Sequence, residues 1–281
     1  VHIFSKMEID TSKKSILFIP GAGMDHRILS MFKMDSFVDE YNIIAIDLPG
    51  YGYTTGPLFY NVESHTKLCI EVLNELNLKN LILSGHSWGG LIALDLSTQY
   101  ENDMTICMNI AYPFLVGDLL LDYAKGNLDQ CVEFLMKYGI YKMPETEIKT
   151  LGFGVKGSGF YGRSKGVIKS PYGTKTVEDD PEREIKLYPL KRLFNQTEKE
   201  ISSIDLKSCT NFRLKDDQIS NIQNVKYIFC DKDKLARFDA ENIILKNVNP
   251  EEDVFILKET GHFPYFEDPD QLEEVFKKIL N

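Results

Sequence analysis

Short, continuously apolar runs alternate along the chain with longer stretches in which apolar residues recur at helical spacing. The apolar runs have the length of strands, and runs without polar alternation are typical of parallel strands that helices cover on both faces. The predicted strands are residues 15–20, 42–48, 80–84, 104–110, 225–230 and 253–259. Even the longest apolar run is far below the ~18 residues of a membrane-spanning helix, so we expect no membrane span.

The longer stretches predict helices between the strands. Residues 62–76 place apolar side chains on one helical face, and residues 91–100 are apolar nearly all round, which indicates a buried helix. The face of the first of these helices comprises Leu68, Val72, Leu73 and Leu76. Further helices are predicted at residues 119–124, 128–138 and 240–248.

The last predicted helix has clear start chemistry. Asp268 can cap it, and Pro269 suits its first position because proline lacks the N–H that would be unpaired there. Its apolar stripe comprises Leu272, Val275, Phe276 and Ile279.

The regular alternation predicts an α/β fold, with a mostly parallel central sheet and helices on both faces. The alternation breaks between residues 115 and 205, where residues 152–173 are rich in Gly, Ser, Lys and Tyr without any period. We interpret residues 115–205 as a mainly helical cap inserted into one α/β core, which comprises residues 1–114 and 206–281.

Composition disfavours several classes of protein. Hydrophobic residues make up 43 % and charged residues 26 % of the 281 residues, as in ordinary soluble globular proteins. The 32 basic and 42 acidic residues give a net charge of −10, which disfavours nucleic acid as a partner because nucleic-acid binders present a basic surface. The five cysteines are scattered without CxxC spacing, so we expect mostly buried free thiols and neither a disulfide framework nor a zinc site.

The first residues lack a charged start followed by an apolar stretch, so we expect no signal peptide and a cytoplasmic protein. Nothing in the sequence indicates an oligomeric state.

The strongest chemical signal is the sequence Gly85-His86-Ser87-Trp88-Gly89, which fits the pattern G-x-S-x-G. An apolar strand enters it and an apolar helix leaves it, as this motif requires. The glycines let the backbone turn sharply, so that the serine hydroxyl is exposed at a helix N-terminus. We predict that Ser87 is a nucleophile; the alternative is a chance match in a Gly-rich turn.

A serine hydroxyl is a weak nucleophile and needs a base, for which the sequence offers five histidines. His262 follows the last predicted strand, at the carboxyl end where open α/β sheets assemble their sites, and it is our candidate base. We expect His2 at a frayed terminus, His65 solvated at a helix start, and His86 packed away from the serine hydroxyl. His26 follows a Gly-rich turn and is a candidate substrate contact.

The base in turn needs an acid to orient it. Asp233 follows the strand at 225–230 and precedes His262 by 29 residues, which gives the chain order Ser, Asp, His. Asp231 is the alternate acid and Asp118 a distant third, since residues 109–114 contain no acid. A solvated Asp-Lys-Asp turn is the competing interpretation.

Together these residues resemble the α/β-hydrolase superfamily, in its branch of small serine hydrolases with a helical cap, over nearly the whole chain. Residues 47–52 are similar to its D-x-P-G-x-G turn, residues 261–269 to its G-H-x(4)-E-x-P ending, and residues 205–212 to its return from cap to core. Two departures are visible: residues 20–26 lack the His-Gly often found after the first core strand, and Cys230 stands where the family commonly has Gly.

The resemblance implies a mechanism. Ser87 would attack a carbonyl while His262 takes its proton, and Asp233 would orient and stabilise the imidazole. The backbone N–H groups of Ala22 and Trp88 would bind the oxyanion. No metal or organic cofactor is required. A serine nucleophile argues against haloalkane dehalogenase or epoxide hydrolase chemistry, which on this fold needs Asp at that position.

Candidate substrate contacts point to a small or medium acyl group. Met24, His26, Phe114 and Met136 are the predicted contacts. Basic and aromatic residues in 152–173 favour an anionic or acyl-chain substrate, with solvated lysines as the alternative. Two G-x-G-x-x-G strings in this stretch, at 152–157 and 157–162, lack the flanking strand and helix of a nucleotide site.

The predicted function is a serine hydrolase that cleaves a carboxylic ester of a small-molecule acyl substrate. A ligand sensor on the same fold is the alternative from another class. Within the enzymes, the same triad serves C–C bond hydrolases, thioesterases, proline iminopeptidases and perhydrolases, because a fold does not fix a substrate.

Overall fold

The computed structural model describes residues 1–144, 181–195, 199–237 and 248–281. Seven strands form one sheet in the order β1-β3-β2-β4-β5-β6-β7. The strands are β1 Ile3–Ser5, β2 Lys14–Ile19, β3 Tyr41–Ile46, β4 Leu81–His86, β5 Met104–Met108, β6 Val225–Cys230 and β7 Val254–Leu257. All neighbouring strands pair in parallel except β1, which runs antiparallel to β3. The predicted α/β fold is confirmed.

Ten α-helices are described. They are α1 Val62–Leu76, α2 Trp88–Ser97, α3 Asp118–Gly126, α4 Leu128–Gly139, α5 Pro181–Asn195, α6 Lys199–Asn211, α7 Asp216–Asn221, α8 Pro250–Asp253, α9 Pro264–Glu267 and α10 Pro269–Leu280. Two 3₁₀ helices, His26–Ser30 and Asp35–Phe37, follow β2. Within the described ranges, no helix is both long enough and apolar enough to cross a bilayer.

Burial on both faces of the sheet explains why its strands read as continuous apolar runs. In β4, Leu81 and Leu83 enter one hydrophobic cluster, whereas Ile82 enters another on the opposite face. Each such fully buried aliphatic side chain contributes roughly 1.5–3 kcal/mol. Helix α2 is buried from Trp88 through Leu96, as its all-round apolar sequence predicts.

The predicted caps and thiols are also observed. The Asp268 side chain accepts a hydrogen bond from the Gln271 N–H at 3.0 Å, and it begins α10 as expected. All five cysteines are free and buried. Burial raises the pKa of the thiols in the core, in Cys69 to about 12.

The expectation that His65 is solvated is wrong. His65 lies one helical turn after Val62 on the buried stripe of α1, and it is 1 % exposed. Its ring packs edge-on against Trp88, with ring centroids 4.7 Å apart. Burial lowers the pKa of His65 from 6.5 to about 4, because the charged imidazolium would lose its hydration.

Helices α3 to α6 lie between β5 and β6 and are called here the insertion helices. Helix α3 packs on α4 and α6, α4 packs on α5, and α6 also contacts α2 of the core. The predicted cap boundary at residue 206 falls within α6, and the division into core and cap stays a prediction. The two G-x-G-x-x-G strings and nearly all of the predicted helix at 240–248 lie outside the described residues.

Candidate active site

Ser87 stands in a strained turn between β4 and α2. Its backbone has φ 53° and ψ −120°, in a region that residues with a side chain rarely occupy. The Ser87 N–H donates to the Met108 carbonyl of β5 at 2.8 Å, which fixes the turn to the neighbouring strand. The flanking glycines are required by close approach. A Cβ on Gly89 would meet the Ile19 carbonyl oxygen far inside van der Waals contact.

His262 and Asp233 are paired. The Asp233 Oδ2 atom lies 2.7 Å from His262 Nδ1, and its Oδ1 accepts from the main-chain N–H groups of Leu235 at 2.8 Å and Ala236 at 3.0 Å. Both members of the pair are buried. Because the carboxylate holds Nδ1, the Nε2 atom of His262 is the ring nitrogen available for proton transfer.

The alternate acids are not part of this pair. Asp231 is exposed, and its carboxylate lies 3.7 Å from Lys232 Nζ. Asp118 is the first residue of α3. The structure thus brings Asp233, and neither alternate, to His262.

The main chain of His262 is fixed from three sides. Its N–H donates to the carbonyl of Gly139, at the end of α4, at 2.6 Å. Its carbonyl accepts from His86 Nε2 at 2.7 Å and from Asn109 Nδ2 at 3.0 Å. Since a carbonyl only accepts, His86 carries its proton on Nε2. Burial and the nearby His262 lower the pKa of His86 well below its ordinary value, so it packs as a neutral ring, as the sequence indicates.

The Glu267 side chain also fixes the loop that contains His262. Its buried carboxylate accepts from the N–H groups of Gly261 at 2.9 Å, Phe263 at 3.2 Å, Tyr141 at 2.8 Å and Lys142 at 3.1 Å. Burial raises the pKa of Glu267, although these four donors favour its ionised form. In the sequence this residue is the glutamate of the G-H-x(4)-E-x-P ending, and the motif alone does not indicate its role.

The proposed oxyanion donors lie on the two sides of the Ser87 turn. Trp88 is the first residue of α2, where N–H groups have no acceptor within the helix. The Gly21–Met24 turn approaches from β2, and a Cβ on Gly21 would lie 3.5 Å from Ser87 Cβ. No described residue accepts from the Trp88 or Ala22 N–H. Their roles stay predictions.

Three of the four predicted substrate contacts lie in hydrophobic clusters. Met24 and Met136 belong to one cluster and Phe114 to the other, and all three are buried. The Tyr265 hydroxyl donates to Met24 Sδ at 3.3 Å. Their contact with a substrate stays a prediction.

His26, the fourth, lies in a His–Asp–His cluster. Its Nδ1 is 2.9 Å from the Asp47 carboxylate, and His2 Nδ1 is 2.7 Å from the same group. The expectation that His2 is frayed is wrong, because its main-chain N–H also donates to Thr54 Oγ1 at 2.8 Å. Burial opposes the ionisation of Asp47, but hydrogen bonds from His26 and from the Tyr53 N–H hold its pKa below the usual value.

This cluster is the set of described residues whose ligand types suit a metal ion, with ligand atoms within 4.8 Å of one another. Its His–Asp separations are hydrogen-bond lengths, whereas tetrahedral zinc holds ligand atoms about 3.3 Å apart. The hydrogen bonds of this cluster join the loop after β2 to the turn after β3.

Comparison with known proteins supports the same fold. A family model described as "Alpha/beta hydrolase family" matches residues 16–275. Epoxide hydrolase 1 of Caenorhabditis elegans is 33 % identical over 87 residues, which cover 29 % of this chain and 22 % of that protein. The chain spans about a quarter of the length of the curated relatives it matches.

Two solved structures align over nearly the whole chain. The enol-lactonase of Burkholderia xenovorans LB400 gives a TM-score of 0.74 at 15 % identity and covers 99 % of this chain and 95 % of its own. The esterase EaEST of Exiguobacterium antarcticum gives a TM-score of 0.70 at 16 % identity and covers 100 % and 95 %. At these identities the likeness is one of fold.

Proposed function

The chain belongs to the alpha/beta hydrolase family, and we propose that it is a serine hydrolase that cleaves carboxylic esters through an acyl-enzyme. The observation that carries the proposal is the His262–Asp233 pair, 2.7 Å apart, in loops that follow the parallel strands β7 and β6. The Ser87 turn follows β4 of the same parallel set. Carboxyl ends of parallel strands meet at one edge of a sheet, which is where open α/β sheets assemble their sites.

We infer a two-step reaction from these groups. Ser87 Oγ attacks the ester carbonyl carbon as His262 Nε2 takes its proton, while Asp233 stabilises the imidazolium. The negative oxygen of the tetrahedral intermediate is bound by the N–H groups of Ala22 and Trp88, each worth about 3–4 kcal/mol. His262 then protonates the leaving alkoxide, and the acyl-enzyme forms.

Water completes the cycle. His262 removes a proton from water, the resulting hydroxide adds to the acyl carbon, and the second tetrahedral intermediate expels the Ser87 alkoxide, which regains the proton from His262. The products are the alcohol and the carboxylic acid.

The proposed substrate is small or medium in size. The apolar side chains of Met24, Phe114 and Met136 favour an acyl group over a strongly polar one. Both structural neighbours named above, an enol-lactonase and an esterase, carry names that denote cleavage of a carboxylic ester.

Epoxide hydrolysis is the second candidate, because of the local match to epoxide hydrolase 1. Residue 87 speaks against it on chemical grounds. A carboxylate that opens an epoxide leaves an ester, which water can hydrolyse at its carbonyl. A serine alkoxide would leave an ether, which has no carbonyl for water to attack. We therefore favour acyl transfer.

A fluorophosphonate probe tests the nucleophile. We expect one probe per protein, lost in Ser87→Ala, because only an activated serine reacts. Ser84→Ala is the matched control, since the Ser84 hydroxyl is buried three residues earlier on β4 and makes no hydrogen bond in the described part of the chain. Labelling that persists in Ser87→Ala overturns the assignment.

A panel of nitrophenyl esters of varied chain length tests the reaction. We expect turnover that peaks at a short or medium acyl chain and disappears in Ser87→Ala. Labelling without turnover of any ester would instead favour the ligand sensor or another of the triad's reactions. Styrene oxide serves as the epoxide arm, and its conversion to the diol by the wild type but not by Ser87→Ala would contradict acyl transfer.

A further inference from the structure

One face of α6 contacts Trp88, the residue after Ser87, and Tyr51 of the turn after β3. Asp205 and Ser208, one helical turn apart, are buried on this face. Ser208 Oγ accepts from the indole Nε1 of Trp88 at 2.8 Å and donates to the Asp205 carbonyl at 2.7 Å. The Asp205 carboxyl accepts a short hydrogen bond from the Tyr51 hydroxyl. The side chains of Tyr51 and Trp88 thus both hydrogen-bond to α6.

Tyr51 carries this contact to the Gly21–Met24 turn. Its hydroxyl oxygen accepts from the Gly23 N–H at 3.1 Å, and the turn closes with the Met24 N–H donating to the Gly21 carbonyl at 3.1 Å. The Gly23 N–H belongs to the peptide group that follows Ala22. Fixing that peptide plane limits the directions in which the adjacent Ala22 N–H can point.

Helix α5 contacts the same turn. Gly23 has φ 81°, and a Cβ there would overlap the Phe194 ring of α5. The turn therefore packs against one insertion helix and is hydrogen-bonded, through Tyr51, to another. Burial raises the pKa values of Asp205 and Tyr51 well above their ordinary values, which favours the neutral form of each.

We propose that Tyr51 and Asp205 are positioning residues for the oxyanion hole: through Gly23 they orient the Ala22 N–H, and they make the hole depend on the placement of α6. The proposal rests on the proposed function of the Ser87 site. Neither side chain is required to touch the substrate. Their loss should therefore weaken transition-state binding and leave ground-state binding nearly unchanged.

Tyr51→Phe is the first variant, because it removes the hydroxyl and keeps the ring. We expect kcat for a nitrophenyl ester to fall about tenfold to a hundredfold, since a small misplacement at a reacting centre has effects of that size, while KM changes less than about threefold. Affinity for an alkylboronic acid, which forms a tetrahedral adduct with the serine, should fall by a similar factor. Tyr112→Phe is the matched control: its buried hydroxyl bonds to the main chain of Leu214 and not to this turn.

Asp205 is tested with two variants. Asp205→Leu removes the acceptor for Tyr51, and we expect the same loss of kcat and of boronic acid affinity. Asp205→Asn keeps a carbonyl oxygen at this position and should restore most of the rate lost in Asp205→Leu. A purely structural role would lower the melting temperature without this pattern of rescue in kcat.

The rate of fluorophosphonate labelling separates this proposal from the proposed function. If the wild type is labelled at Ser87 but hydrolyses no ester, ester hydrolysis fails, and slower labelling of Tyr51→Phe than of Tyr112→Phe still supports the positioning role. If Tyr51→Phe matches the wild type in labelling rate, kcat and boronic acid affinity, the positioning role is overturned. Absence of labelling in the folded wild type overturns both.

Discussion

The sheet edge that carries the proposed triad and the insertion helices are held by different kinds of contact. At the sheet edge the contacts involve main-chain groups: the N–H groups of Ser87 and His262 donate to main-chain carbonyls, and the Glu267 carboxylate accepts from four main-chain N–H groups. Among the insertion helices, the polar contacts include ion pairs between side chains: Lys191 of α5 pairs with Glu133 of α4 at 2.5 Å and with Glu184 at 2.8 Å. A substitution that moves the main chain disturbs the first kind of contact directly, whereas Glu133 and Glu184 are exposed, and an ion pair with an exposed partner contributes little stability. We therefore expect the largest effects of mutation at the sheet edge.

The largest effect is expected for Asp233→Asn. By analogy with other triads, replacing the acid costs on the order of 10⁴ in kcat, because the imidazole loses its correct tautomer and its partner for the positive charge. Ester turnover is the measurement, with Asp231→Asn as the matched control two residues away. If Asp231→Asn caused the loss instead, the observed pairing would not be the one used in catalysis.

The next prediction compares the loss of stability on replacing one glycine from each region with alanine. Gly89→Ala places a Cβ against the Ile19 and Pro20 carbonyl oxygens. We therefore expect the free energy of unfolding to fall by about 3 kcal/mol or more. Gly126→Ala, at the end of α3, meets no atom within 4 Å and should change stability by less than about 1 kcal/mol. Urea unfolding measures both. Equal losses in the two variants would show that the regions do not differ in this way.

The last prediction is the loss of folding stability at acidic pH. All five histidines lie outside residues 115–205, and the pKa of buried His65 is about 4 rather than 6.5. Because the unfolded imidazole binds a proton more readily than the folded one, the stability due to His65 is complete above pH 6.5 and is lost as pH falls toward 4, up to about 3 kcal/mol. His65→Gln should flatten the dependence of unfolding free energy on pH in this window. An unchanged slope would contradict this assignment.

Much of the core was predictable because its signals are local. The helix Val62–Leu76 and the strand Val225–Cys230 have the predicted bounds, since periodicity and flanking residues define them. The short edge strand Ile3–Ser5 was missed because its three residues are only half-buried and carry no continuous apolar run. The position of His65 along α1, near the start, predicts a solvated side chain, whereas its position around the helix places it on the buried stripe.

The insertion helices were harder to predict for a physical reason. Helix α5 has Pro189 in its interior, which argues against a helix, although Leu187, Leu190, Leu193 and Phe194 recur at helical spacing and are buried. In the site, Ser87, Asp233 and His262 were chosen from motif and order. The hydrogen bonds from Tyr141 and Lys142 to Glu267, and the link from Tyr51 to Asp205, join residues far apart in sequence and exist only in the folded chain.

The reactivity of the five buried thiols can report which region of the molecule opens first. Cys69, Cys107 and Cys230 lie in the core, whereas Cys131 and Cys209 lie in α4 and α6. A thiol reagent reaches each only when its surroundings part, and burial has raised the pKa of Cys131, like that of Cys69, to about 12. The order in which the five react therefore reports whether the insertion helices loosen before the sheet, without any introduced cysteine.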